Sequence, residues 1–429
     1  MSRPQCMAWG ATAVVLLVSR AAGVAPLRLR RRPDGWLVTV SPYVYVYDVI
    51  LFSFIVSVGV AGLILDLNAE PSRAVRMRTP TKRILWIADF GVVLLTALVG
   101  AYEGPFRMNS MIRYLNELQK INTIINIQSS ASTEKKRTIV LVSIMFGFLL
   151  VTVLDIWTIM VDVIRYGRDR FIACLYMSFG YSYMAMIFLK SQFVVGALAV
   201  HSTLKNLNDV LETETIIQGA AFGINDNFAM NKKNRIYPSN ISTNVNCISY
   251  SDYLKSHPNK KSHETVRRLA LSFSNICYVV TSVTKCHENS LLLLIATFAI
   301  HLVIIPYYIS LALQYSESQV EAVLLLLLWY GTHLMSLALL VEPCHWTLEE
   351  LNRTHVLVSI LTDSVSADEL LSKELNEFFK HLALNKITFS PLGICTLARP
   401  LCATIMGILT TYLVIIFQFQ TSADKADGF

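Results

Sequence analysis

The chain has 429 residues, 54% of them hydrophobic and only 16% charged, with a formal net charge of +7 and a mean hydropathy of +0.48. Soluble domains average about 25% charged residues, so this composition belongs in a bilayer. The surplus basic residues sit between apolar runs, as at membrane surfaces, and give no reason to expect a nucleic-acid partner. The eight cysteines form no CxxC pair or framework spacing, and no Walker loop, GxGxxG or HExxH is present. No cofactor, metal or enzymatic chemistry is therefore expected. Cys174, Cys395 and Cys402, in or beside apolar runs, read as small buried hydrophobes.

Residues 1–44 are expected to form a cytoplasmic N-terminal segment. Arg3, the apolar run Ala11–Val18 and the small residues Ala21–Ala25 imitate a signal peptide, but the run is too short to span. Arg28, Arg30, Arg31 and Arg32 follow at once and favour an uncleaved helix at the inner surface. Seven runs long enough to cross a bilayer come next, at 45–66, 84–103, 138–163, 171–199, 288–312, 319–341 and 397–419. The expected architecture is an all-α integral membrane protein with seven transmembrane helices, a cytoplasmic N-terminus and an extracellular C-terminus. Helices one to four occupy 45–199, and cytoplasmic extensions with a mobile loop occupy 200–287. Helices five and six occupy 288–341, cytoplasmic anchor helices 342–396, the last helix 397–420 and an outer tail 421–429. Most Lys and Arg then fall inside; the segment 67–83 dissents, with Arg73, Arg76, Arg78, Lys82 and Arg83.

The cytoplasmic parts read as helices. His201–Glu214 continues span four, and Val266, Leu269, Phe273, Ile276 and Val280 make one buried stripe. Ser366-Ala-Asp-Glu369 has the capping-box pattern, opening a helix with Leu371, Leu375, Phe378 and Leu382 on one face. Gly219–Lys261 is rich in Asn, Ser and Lys and predicts a mobile loop. The sequons at Asn240 and Asn352 fall on the inner side and should stay unmodified. Pro343, within Val341-Glu342-Pro343-Cys344-His345, predicts a kink that serves as a hinge or anchor joint.

Ionisable residues inside spans are functional candidates. Asp89 lies in span two, Asp155 in span three, and His301, followed by Pro306 and Tyr307, in span five. In span six, Leu326, Trp329, Tyr330 and His333 stand at i, i+3, i+4 and i+7 and share one face. Trp329 is about ten residues, roughly 15 Å, from the outer end. Aromatic walls with a few polar groups suit a small polar ligand. A polar network that merely locks helices together is the competing explanation for any single residue; the converging set favours a pocket.

The last run closes with Thr411-Tyr412-Leu413-Val414-Ile415-Ile416-Phe417-Gln418-Phe419. Tyr412, Ile415, Ile416 and Phe419 share one helical face, and Thr411, Val414, Ile415 and Gln418 the next. An amide in hydrocarbon needs a partner or water, so the Gln418 face is expected to meet protein or an aqueous lumen. The pattern Thr-Tyr, five apolar residues, Gln-Phe resembles the C-terminal signature of insect gustatory receptors, and Val341–His345 looks like their fructose-receptor branch. That resemblance covers most of the chain, least the N-terminus and Gly219–Lys261. It implies a ligand-gated cation channel of the cell membrane. It also implies a homotetramer, or a heteromer with other gustatory receptors, whose last helices line a central pore among membrane lipid. The pore and gate would then fall to Thr411, Tyr412, Ile415, Gln418 and Phe419, and a small-molecule tastant would bind inside the bundle. Trp329, His333, Asp89, Asp155 and Tyr307 match positions of that branch; Leu326 stands where the branch carries Gln. The resemblance thus implies a sugar or polyol, with fructose itself disfavoured, or else a bitter, more apolar plant compound. Two other classes have seven spans or polytopic bundles in common with this pattern. Asp169-Arg170-Phe171 imitates a triplet of G-protein-coupled receptors, but no Asn-Pro-x-x-Tyr closes the last span. A secondary transporter would fit an internal repeat, and none is evident.

Overall fold

In hydrocarbon every backbone donor and acceptor must be met within its own segment, so long apolar runs fold as long helices. A computed structural model describes residues 4–33, 35–77, 79–125, 131–221, 258–315, 320–365, 369–385 and 387–426. In chain order the elements are β1 (Gln5–Ala8), α1 (Gly10–Ala21), β2 (Leu27–Arg32), β3 (Gly35–Val40), α2 (Pro42–Asn68), α3 (Pro80–Tyr102), α4 (Gly104–Ile125), α5 (Ala131–Arg165) and α6 (Arg170–Leu175). After these come α7 (Met177–Ala221), α8 (Pro258–Tyr315), α9 (Val320–Ser364), α10 (Glu369–Leu384), a 3-10 turn (Pro391–Gly393) and α11 (Arg399–Ala426). Among the described residues, six helices are long and apolar enough to cross a membrane: α2, α3, α5, α7 with the short α6 before it, α8 and α9. They hold the first six expected spans. The seventh expected span lies in α11, of which Arg399–Ile415 counts as a shorter apolar helix among the described residues.

The all-α expectation fails at the N-terminus. There β1, β3 and β2 form a three-stranded antiparallel sheet, in that order. The run of arginines concealed an alternation: Leu27 and Leu29 pair with Val40 and Val38, while Arg28, Arg30 and Arg32 stay exposed. Gly35, at φ +137°, lets β3 start against β1; a Cβ there would come within 2.9 Å of the Ala8 carbonyl oxygen. Helix α4 holds the free side of β1, with Asn116 donating to the Gln5 carbonyl and Gln119 to that of Met7, each at 2.7 Å. The short apolar run is indeed a helix, α1. Its Ala11 and Val15 pack on Leu141 of α5 and on Val194 and Val195 of α7.

The extensions expected on the inner side and the spans are continuous helices rather than separate pieces. The stripe Val266, Leu269, Phe273, Ile276 and Val280 on α8 is buried, as are Leu371, Leu375, Phe378 and Leu382 on α10; all join one core. Residues 366–368 of the capping box, 222–257 of the expected loop and Asn240 lie outside the described residues. Pro343 stands inside α9 without ending it, and its carbonyl accepts from Thr347 Oγ1 at 2.8 Å. Beside it, Glu342 takes both arms of Arg399 at 2.9 Å, joining α9 to the start of α11. At the same end, the guanidinium of Arg107 is 1% exposed, donating to Gln192 Oε1 and to the Val24 carbonyl. Burial pulls its pKa down to about 10, which still leaves it charged near neutrality.

At the opposite end, the connection between α2 and α3 is built on Asp66. Its buried carboxylate accepts from the backbone of Val75, Arg76 and Met77 at 2.7–3.1 Å and from the Tyr176 hydroxyl at 2.9 Å. The dissenting basic loop is therefore a folded structure. Asp169 caps α6, accepting from the backbone of Phe171 and Ile172, which explains the Asp-Arg-Phe triplet as a helix start. Asp66→Ala would orphan several donors, each costing about 1–3 kcal/mol when buried. We expect a clearly lower Tm in detergent for Asp66→Ala, and a smaller loss for Asp66→Asn, which keeps one acceptor. Equal Tm for Asp66→Ala and the parent would show that the loop is held otherwise.

Candidate functional site

Helices α3, α7, α8 and α9 enclose a cluster of aromatic and imidazole rings. His301 of α8 and His333 of α9 stack with centroids 4.3 Å apart and a 23° interplanar angle. Trp329, one turn from His333 on α9, stacks beside it at 5.7 Å. Tyr183 of α7 packs edge-on against Trp329 at 4.8 Å, and its hydroxyl lies 2.8 Å from His333 Nε2. Asp89 of α3 closes the far side, its Oδ1 2.7 Å from His301 Nε2. The other nitrogen, His301 Nδ1, donates to the Thr297 carbonyl at 2.7 Å. Both ring nitrogens thus face acceptors, an arrangement suited to a doubly protonated imidazolium beside a carboxylate. Thr297 in turn meets Thr96 of α3 at 3.4 Å.

Asp155 of α5 lies on the neighbouring side, 3.5 Å from Arg76 Nη2. Arg76 also stands over the Trp86 ring at 5.0 Å, so the Asp66-anchored loop delivers a cation to the edge of the site. Two cavities flank the contact of Tyr183 with Trp329. One, about 20 Å³, is lined by Asp155, Trp86, Tyr176 and Phe179 together with Tyr183 and Trp329. The other, about 10 Å³, is lined by Lys190, Ser336, Phe148 and Phe298 together with the same pair. Each has room for about one water, so the site is closed around its own rings.

The structure therefore brings together Trp329, His333, His301 and Asp89, with Asp155 on the adjoining cavity. It does not bring Tyr307 into the cluster: that ring pairs with Tyr308 at 6.0 Å. Tyr330 and Leu326 are half-buried on α9; Tyr330 packs on the main core and Leu326 lines neither cavity. Three participants escaped the sequence reading. Tyr183 and Lys190 lie in a run already recognised as a span, where a lysine was the available signal. Arg76 had been counted only as a charge in a loop. Asp48 of α2, 1% exposed, is a further intramembrane acid that escaped notice.

Of the residues expected at the pore, Thr411, Tyr412 and Ile415 are exposed on α11. Gln418 is exposed too, and the side chain of Phe419 lies outside the described ones. Helix α11 touches α8 and α9 of its own chain, with Ile405 and Leu409 buried there.

The family model of the 7tm chemosensory receptors matches residues 12–422. The chain belongs to this family. The receptor is 23% identical to the Drosophila melanogaster gustatory receptor for sugar taste 43a, over 95% of its own length and 97% of the relative's. It is 28% identical to the putative gustatory receptor 28b of the same fly, over 34% and 33% of the two chains. Its fold is similar to that of the insect olfactory receptor OR5 from Machilis hrabei, with a TM-score of 0.59, 14% identity and coverage of 95% and 97%. The eugenol complex of that protein gives 0.55. The receptor is thus a multi-pass protein of the cell membrane.

In this receptor, Tyr183→Phe removes the one hydroxyl beside His333 Nε2 and leaves a buried ring nitrogen unpaired, at about 1–3 kcal/mol. We expect a measurable fall in Tm in detergent for Tyr183→Phe and almost none for Tyr307→Phe, which lies outside the cluster. The reverse order would dissolve the cluster as a structural unit.

Proposed function

We propose that this receptor is a ligand-gated, non-selective cation channel opened by a small hydroxylated tastant of sugar or polyol size. The observation that carries the proposal is the ring cluster: stacked imidazoles and an indole, bordered by two carboxylates and two small cavities, drawn from five helices of a chemosensory receptor. Aromatic faces stack on the C–H faces of sugars, and carboxylates accept from hydroxyls. The relative named for sugar taste supports that ligand class.

In this proposal the N-terminus is cytoplasmic, the α2–α3 connection is extracellular, and four chains assemble around their α11 helices. Within one chain, α11 leaves Ile408, Tyr412, Val414 and Ile415 uncovered. Neighbouring copies would cover part of that face. Phe419 would close the pore by dewetting, and Gln418, about 100° away on the helix, would line it after a small rotation. Ligand binds one arrangement of the cluster better than the other and so biases that rotation. Glu342 and Arg399 connect the helix that bears Trp329 and His333 to the helix that would line the pore.

Expressed alone and read as whole-cell current, the receptor should respond to members of a sugar and polyol panel. Trp329→Ala removes the stacking surface and should raise the half-maximal concentration about tenfold or more, a loss of roughly 1.4 kcal/mol. An unchanged dose–response at normal surface expression would move the pocket elsewhere. Phe419→Ala should produce standing, blocker-sensitive current without agonist. A silent, well-expressed Phe419→Ala receptor with normal gating would remove this residue from the gate.

A further inference from the structure

Lys190, within the first half of α7, is 3% exposed. Its Nζ donates to Ser336 Oγ of α9 at 2.7 Å and sits over the Phe148 ring at 4.0 Å, with Phe298 at 5.9 Å. Among the described residues no carboxylate lies within ion-pair distance of it: Asp89 is held by His301 and Asp155 by Arg76. An ammonium carries three N–H donors. Ser336 takes one and the face of Phe148 another; the group borders the smaller cavity. Ser336 accepts from Lys190, so its own hydroxyl proton remains available to donate. Thr332, by contrast, already donates to the Trp329 carbonyl at 2.6 Å. The cavity thus has one donor-rich wall, made by the Lys190 amine and the Ser336 hydroxyl, and otherwise aromatic and aliphatic walls.

We propose that this cavity takes the carboxylate of the ligand, held by the Lys190 ammonium and the Ser336 hydroxyl, so that the preferred agonists are sugar acids or other small hydroxylated carboxylates. A neutral hydroxyl would satisfy a donor there, whereas a carboxylate also pairs with the ammonium and holds it protonated, since a buried charge is costly until an opposite one meets it. The cavity holds about one water, so a carboxylate requires a wall to move. Tyr183 and Trp329 wall both cavities, and displacing their contact joins the two spaces into one chamber. Lys190 then stands at one end and Asp155 at the other, where ligand hydroxyls find an acceptor. The proposal rests on the ligand pocket argued above and narrows its ligand class.

The test uses the full receptor and matched pairs of sodium salts and neutral analogues: gluconate with sorbitol, glucuronate with glucose, lactate with propane-1,2-diol. Each pair is read twice, as current in expressing cells and as a Tm shift of the purified receptor. The acid member should be about tenfold more potent in at least one pair. Lys190→Met should abolish that advantage by costing the acid member about tenfold more than the neutral one, and Ser336→Ala should reduce it in part. If Lys190→Met fails to reach the surface, Ser336→Ala and the acid-to-neutral ratio of the parent decide the matter. Equal potency within every pair, equal losses for both members in Lys190→Met, or no acid giving current or Tm shift would each overturn the proposal, leaving Lys190 a structural tie between α7 and α9. An acid-specific, Lys190-dependent Tm shift without current would sink the channel function and leave this inference standing.

Discussion

The contact of His301 with His333 is the constraint around which the bundle is arranged. Two imidazoles stacked 4.3 Å apart inside a membrane protein need hydrogen-bond partners for their ring nitrogens. Asp89 meets one from α3, Thr297 meets another within α8, and Tyr183 reaches His333 from α7. In hydrocarbon there is no water to take over any of these bonds, so each one fixes the approach of a helix. The side chains that make the site chemically interesting are also those that hold α3, α7, α8 and α9 in register.

The same economy governs the α2–α3 connection. A basic loop beside a membrane would ordinarily be free to spread its charges in solvent. Here Asp66 gathers three backbone amides and a tyrosine hydroxyl, and the loop is pulled onto the ends of the helices. Arg76 then reaches Asp155 and lies over Trp86. The aromatic group beneath it, with Phe90 and Phe179 stacked at 5.2 Å, forms a floor between the loop and the ring cluster. A local capping arrangement thereby sets the electrostatics of one side of the site.

At the other end, continuity replaces local anchoring. Helices α7, α8 and α9 run far beyond the length of a span and pack with α10 into one core. Arg353 of α9 lies within ion-pair distance of Asp209 and Glu212 of α7, and Asn208 donates to the Glu350 carbonyl. These pairs are partly exposed, so they fix register more than they add stability. Trp329 and Glu342 stand on the same helix, α9, and Glu342 meets α11 through Arg399.

The sequence by itself determined the membrane class, the placement of the long helices and the buried stripes on α8 and α10, because apolar length and period are local properties of a chain. It also singled out Trp329, His333, His301 and Asp89, because polar groups in apolar runs are conspicuous. It could not show that they meet, since Asp89 and His301 are far apart in the chain and His301 and His333 lie on different helices. Nor could it show Tyr183 as their partner, for a tyrosine in a span is unremarkable until its hydroxyl is seen against His333. Tyr307 was the opposite case: its place in the run suggested a pocket residue, yet its ring contact is with the adjacent Tyr308 and it lines neither cavity. The N-terminal sheet was hidden because strand pairing is non-local and four arginines masked the alternation of Leu27 and Leu29. Lys190 stood plainly in an apolar run, but only the packing of α5, α8 and α9 around it decided that its charge faces two aromatic rings and a cavity with no carboxylate within ion-pair reach among the described residues.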